Sequence, residues 1–213
     1  MNEHYPFVLK PLNYSYDALE PFIDEQTMHL HHDAHLKDYV DTLNAALKDF
    51  PEYHNWSLER LINSSGALPQ SIRATVRSRA GAVLNHNQYF EEMSPDSANV
   101  PEGDIAEELA NQFGSIENFK TVFLENARNL FGSGWTFLVM DIRPESFGKF
   151  EILNLLNQDR PSDSNWIVLM LVDVWEHAYY LKYNNRRSEY LNAWWQVINW
   201  DKINENYNLA MSK

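Results

Sequence analysis

Two residues near the end of an apolar run have the types and spacing of metal ligands. The run Trp166-Ile167-Val168-Leu169-Met170-Leu171-Val172 meets its first charge at Asp173, and His177 follows four residues later. A carboxylate ending a buried run is costly unless it is paired or ligates a metal, and an imidazole four positions on can share the same ion. Far upstream, His31 and His86 are also set among apolar or aromatic residues. Three imidazoles and one carboxylate suit manganese, iron or zinc better than calcium or magnesium. Each element also has a plainer reading. His86 could be a hydrogen-bonded core residue, His29-Leu30-His31-His32 an exposed helix face, and 173–177 a strand end followed by a capped helix. Cysteine is absent, which removes thiolate ligands, disulfides and Cys nucleophiles, so a metal must sit on His, Asp, Glu or water.

The elements that would position these groups follow from periodicity. Tyr5 to Pro21 contains three prolines and reads as an extended arm. Asp24 can cap a helix running from about Glu25 to Lys48 and ended by Pro51, on which His31, His35 and Tyr39 recur every fourth residue along one stripe. A short helix near Leu58–Asn63 leads to a second long one, opened by Pro69 and running to about Met93. There Ile72, Val76, Val83, His86, Phe90 and Met93 fall near one face. Two such helices form an antiparallel hairpin.

Ser94 to Gly103, rich in proline, serine and acidic residues, is the linker candidate. Beyond it the pattern predicts a helix over Asp104–Phe113, stopped by Gly114, and another capped by Ser115 and ending near Phe131. Three strands are predicted at Trp135–Ile142, Phe150–Gln158 and Trp166–Val174, and the chain then returns to helix. The fold class is α+β: a helical hairpin domain over 1–94, and over 95–213 a domain with a three-stranded antiparallel sheet and helices.

Composition bounds the function. The chain has 213 residues, 44% of them hydrophobic, with seven Trp, eleven Tyr and eleven Phe, which describes a folded globular protein. A formal net charge of −13 without a Lys/Arg cluster argues against a nucleic-acid or anionic-membrane partner. No apolar run approaches the ~20 residues needed to span a bilayer, and no signal peptide is visible, so a cytoplasmic protein is expected.

The segment Asp173-Val174-Trp175-Glu176-His177-Ala178-Tyr179-Tyr180 resembles the signature of the iron/manganese superoxide dismutases. Tyr14-Ser15-Tyr16-Asp17-Ala18-Leu19-Glu20-Pro21, Thr27-Met28, Asn85-His86, Phe131-Gly132-Ser133-Gly134-Trp135, Asn157-Gln158-Asp159 and Asn199-Trp200 look like further landmarks, in the family's order. The resemblance implies that His31, His86, Asp173 and His177 hold the metal with a solvent molecule, and that superoxide is disproportionated to dioxygen and hydrogen peroxide. It makes His35 and Tyr39 channel residues, and Gln158, with Trp135 beside it, a hydrogen-bond partner of the solvent. Tyr180 and Glu176 would meet His35 and His177 of the other subunit of a homodimer, which can assemble further into a tetramer. Glutamine at position 158 resembles the manganese type, whereas the iron type usually supplies it from the second helix, where Ala82 stands here. One manganese ion per subunit is therefore expected, with iron as the alternative.

The chain departs from the family pattern at Ala34, where a lysine is common, at Phe137, at Tyr89-Phe90, and in the glycine-free interval Arg160-Pro161-Ser162-Asp163-Ser164-Asn165. With Ala34 near the channel, Arg186 is the main candidate for steering an anion. A zinc hydrolase and a non-catalytic metal-binding relative are the competing readings; the presence of all four ligand types with Gln158 and Tyr39 ranks both below the dismutase.

Overall fold

A computed structural model describes residues 4–161 and 165–212; Met1–Glu3, Lys213 and Ser162–Ser164, the last within the interval Arg160–Asn165 that departs from the family pattern, lie outside the described residues. The first helix opens as α1 (Glu25–His29), capped by Asp24, whose carboxylate accepts from Thr27 N at 2.9 Å and from its hydroxyl at 2.7 Å. It does not continue as a uniform α-helix. Leu30–Leu36 forms a π-helical stretch before α2 (Lys37–Leu47) resumes the regular repeat. The wider i→i+5 turn is a costly geometry that tends to occur at functional sites. Here it carries both His31 and His35.

The short α3 (Leu58–Asn63) is capped by Ser57 and leads to α4 (Gln70–Glu91), which packs antiparallel to α2. Helix α4 stops two residues before the expected end. Met93 instead forms a β-bridge to Ile198, and Ser94 N donates to Val197 O at 2.8 Å, so the hairpin's exit is tied to the C-terminal half.

Helices α5 (Asp104–Phe113) and α6 (Ile116–Asn129) are joined by Gly114, whose φ of +83° is the left-handed conformation that glycine adopts without a Cβ penalty. Ser115 caps α6 by accepting from Asn118 N at 3.0 Å. The sheet consists of β1 (Gly134–Asp141), β2 (Phe150–Leu156) and β3 (Trp166–Asp173) in the order β2-β1-β3, antiparallel throughout. Central β1 is buried along its whole length, whereas edge strand β2 is largely exposed or half-buried. The register pairs Trp135 with Asp173, so these two chemically distinctive residues sit side by side at one end of the sheet.

After β3 the chain makes a single 3-10 turn over Glu176–Ala178 and continues through α7 (Tyr180–Tyr183), α8 (Arg187–Trp194) and α9 (Trp200–Met211). Helices α4 and α9 both pack against β3. The core therefore runs continuously from the hairpin into the sheet. Among the described residues, no helix is long and apolar enough to cross a membrane.

Candidate metal centre

Four elements converge on one point. The π-helical stretch supplies His31, α4 supplies His86, the last residue of β3 is Asp173, and the turn after it carries His177. One ligand atom from each lies within 4.8 Å of every other. Asp173 Oδ2 is 3.1 Å from His31 Nε2, 3.1 Å from His177 Nε2 and 3.8 Å from His86 Nε2. Separations of this size suit donors around one ion bonded at roughly 2.1 Å. His31, His86 and Asp173 are fully buried, and His177 is nearly so.

Hydrogen bonding indicates which nitrogen faces the centre. His86 Nδ1–H donates to Ala82 O at 2.7 Å, one turn back along α4, which leaves the Nε2 lone pair directed inward. Nε2 of His31 and Nε2 of His86 are both buried without a hydrogen-bond partner. Unpaired buried acceptors are expensive, and a cation among them removes the cost. The donor set thus fits a borderline metal ion.

The electrostatics agree with that fit. Burial depresses His31 to about 4, outweighing the pull of Asp173 in the other direction. Burial, and then the neighbouring His31, push His86 well below the ordinary imidazole range. Both rings are therefore neutral and able to ligate. Burial alone would raise Asp173, but the neighbouring imidazoles of His177 and then His31 prevail and hold it below the usual carboxylate range. The site presents two neutral imidazoles, from His31 and His86, and one anion.

Around these four lies a ring of aromatic and amide groups. Trp135 Nε1 donates to Gln158 Oε1 at 3.0 Å, and Gln158 Nε2 reaches Tyr39 OH at 3.5 Å. Tyr39 and Trp135 flank His86, with ring centroids 5.2 Å and 4.9 Å away. Burial and the Asp173 charge raise Tyr39, while Arg79, 5.2 Å above its ring, opposes them. The Tyr39 hydroxyl accordingly keeps its proton. His35 is half-buried and stacks on His177 at 4.4 Å, with its basicity lowered by burial and by His177. Glu176 and Tyr180 point out of the subunit. Arg186 is also on the surface, paired with Glu189 at 2.9 Å, and lines a groove with Glu176 and Tyr179.

The family model described as iron/manganese superoxide dismutases, alpha-hairpin domain, matches residues 6–94, and that of the C-terminal domain matches residues 101–206. The chain belongs to the iron/manganese superoxide dismutase family. It is 44% identical over 205 residues to superoxide dismutase (Mn) 3 of Leptolyngbya boryana, covering 96% of this chain and 84% of that one. It is 43% identical over 206 residues to the superoxide dismutase (Mn) of Thermus thermophilus, covering 97% and 99% of the two chains. With superoxide dismutase (Mn) 2 of Bacillus anthracis the identity is 42% over 201 residues, or 94% of each chain.

Several residues around this family site carry no signal in a single sequence. Arg187, rather than its neighbour Arg186, clamps the turn before β1: it donates to the carbonyls of Leu130 and Gly132 and to Tyr179 OH. Buried Glu92 accepts from Leu171 N at 3.0 Å, Gln88 Nε2 at 2.6 Å and Asn206 Nδ2 at 3.1 Å. A carboxylate close to a predicted helix end reads as solvated until β3 and α9 are placed over it. The mid-helix Gly81 is a weak hint of close approach, and only the fold says what approaches.

Proposed function

We propose that this chain is a manganese superoxide dismutase in which His31, His86, Asp173 and His177 hold one manganese ion per subunit. The observation carrying this reading is the meeting of these four groups in the interior with the Nε2 atoms of His31 and His86 unpartnered. When bound, the ion supplies the one-electron cycling that converts superoxide to dioxygen and hydrogen peroxide.

The protein's own groups have the remaining tasks. Asp173 stays anionic and offsets part of the ion's charge, and the neutral rings leave their lone pairs free. Tyr39, protonated at its hydroxyl, is a proton donor beside the site. Gln158 sets the orientation of that hydroxyl with one end of its amide while Trp135 fixes the other. His35 stacks outside His177 and lines the approach for a small anion, towards which Arg186 contributes positive potential. Manganese is favoured over iron because the amide comes from the segment after β2, while the α4 position from which the iron type usually supplies it is the small, buried Ala82.

Glu176 and Tyr180 are assigned to a homodimer interface, where Glu176 orients His177 of the partner subunit and Tyr180 meets His35 of the partner subunit. Their outward placement beside the site, with Phe131 96% exposed along the same groove, supports that assignment. The boundary between the two domains is assigned to 94/95, and the cytoplasm is our proposed setting for this cysteine-free chain. Purification followed by elemental analysis and a superoxide assay tests the reading. Manganese with dismutation supports it; zinc without redox turnover sinks it.

A further inference from the structure

We infer that one stripe of α4 is the template that sets the position of Gln158, with Gly81 and Arg160 as its positioning residues. Arg77, Gly81, Asn85 and Gln88 are spaced by four, four and three residues, and so share one face of α4. Three consecutive residues at the turn after β2, Gln158 to Arg160, each meet that face. The Gln158 carbonyl comes so close to Gly81 that a β-carbon there would lie 2.3 Å from its oxygen. The Asp159 carboxylate is 3.0 Å from Arg77 Nη2. Arg160 Nη1 donates to Asn85 Oδ1 at 2.9 Å, and its Nη2 donates to Gln88 Oε1.

These contacts differ in weight. The Arg77–Asp159 pair is about half exposed and screened, so it contributes little. The Arg160 fork is half-buried, and its partner Gln88 is itself held through Glu92 to β3 and α9. Asn85 adjoins His86, and Gln158 lies two residues before Arg160. One helix face therefore fixes the backbone from which the Gln158 amide reaches Tyr39 and Trp135. No atom larger than hydrogen fits on Gly81 without pushing that backbone away from the helix.

The functional consequence rests on the role given to Gln158 above. The test uses the full-length metallated protein and reads metal content, the pH profile of turnover and the Kd of azide as a small-anion probe. Helix propensity alone favours Gly81→Ala, so a purely local role for Gly81 leaves the pH profile and azide Kd unmoved. The template role has Gly81→Ala and Arg160→Met retain the metal, shift both readouts and slow turnover about tenfold. Arg160→Lys, which keeps one donor of the fork, falls between Arg160→Met and the parent. Both effects vanish in a Gln158→Leu background, because they act through that side chain.

Unmoved readouts in both variants, or shifts that persist undiminished beside Gln158→Leu, overturn the inference. If Gly81→Ala does not fold, Arg160→Met and Arg160→Lys decide it alone. If Gln158→Leu itself moves neither readout, the role given to Gln158 fails. Crystal structures of Gly81→Ala and Arg160→Met then judge the template: a displaced Gln158 carbonyl supports it, and an unmoved one overturns it.

Discussion

Trp135 and Asp173 are paired across neighbouring strands β1 and β3, so the indole that donates to Gln158 and the carboxylate at the centre of the metal site are fixed by one register. A single-residue slip of β3 would turn the Asp173 side chain to the face opposite Trp135. The carboxylate of the candidate metal centre and the indole beside Gln158 are in this sense one construction.

Gln158→Leu removes the amide between Trp135 and Tyr39 and touches none of the four ligands. We expect metal content to stay near that of the parent and turnover to fall by roughly 10–100-fold, the usual cost of losing an outer-shell partner. Turnover per bound metal measures this directly, and an unchanged value at full occupancy would remove Gln158 from the mechanism.

The metal-free protein should lose stability on acidification. His31 is depressed from 6.5 to about 4 in the fold, so between those values the unfolded chain binds more protons and stability rises with pH. The contribution is complete above pH 6.5 and is lost as pH falls towards 4, and it is worth on the order of 3 kcal/mol. Asp173, held below its ordinary 3.8, acts in the same direction at lower pH. Denaturant midpoints of the metal-free protein across this range provide the check; a midpoint that rises on acidification contradicts the assignment.

Glu176→Ala should weaken the dimer and the metal site together, because the proposed partner of this exposed carboxylate is His177 of the partner subunit. Sedimentation and elemental analysis on the same sample read both effects. An intact, fully metallated dimer would separate Glu176 from the site.

Glu92→Ala should be among the more destabilising single changes in the protein. It leaves the Leu171 amide without its acceptor, takes one of two acceptors each from Gln88 and Asn206, and removes the carboxyl group facing Arg160. Removing the shared acceptor of a buried hydrogen-bond network in this way costs about 1–3 kcal/mol. Burial pushes Glu92 up to about 8, against the hydrogen bonds from Gln88 and Leu171. Urea unfolding of the variant gives the value, and a loss below about 1 kcal/mol would show that the network is dispensable.

Much of this arrangement is legible from residue type and spacing. Asp24 and Ser115 mark helix starts, Gly114 a helix end, and the apolar run before Asp173 a buried strand. His31, His86, Asp173 and His177 are chemically unusual for their apolar surroundings and can be picked out for that reason. The π-helical widening at Leu30–Leu36 is not legible, since no local propensity separates it from α-helix. The Arg160–Gln88–Glu92 chain and the Gly81 contact escape for another reason. Their partners come from different elements, and each residue alone reads as an ordinary surface charge or a weak helix position.

The most direct test of the account is a reconstitution series in which superoxide dismutation is measured against manganese bound per subunit. The account predicts a rate proportional to bound manganese, saturating at one ion per subunit and abolished with binding in His86→Ala. Dismutation that persists without metal, or full manganese binding in His86→Ala, would contradict it.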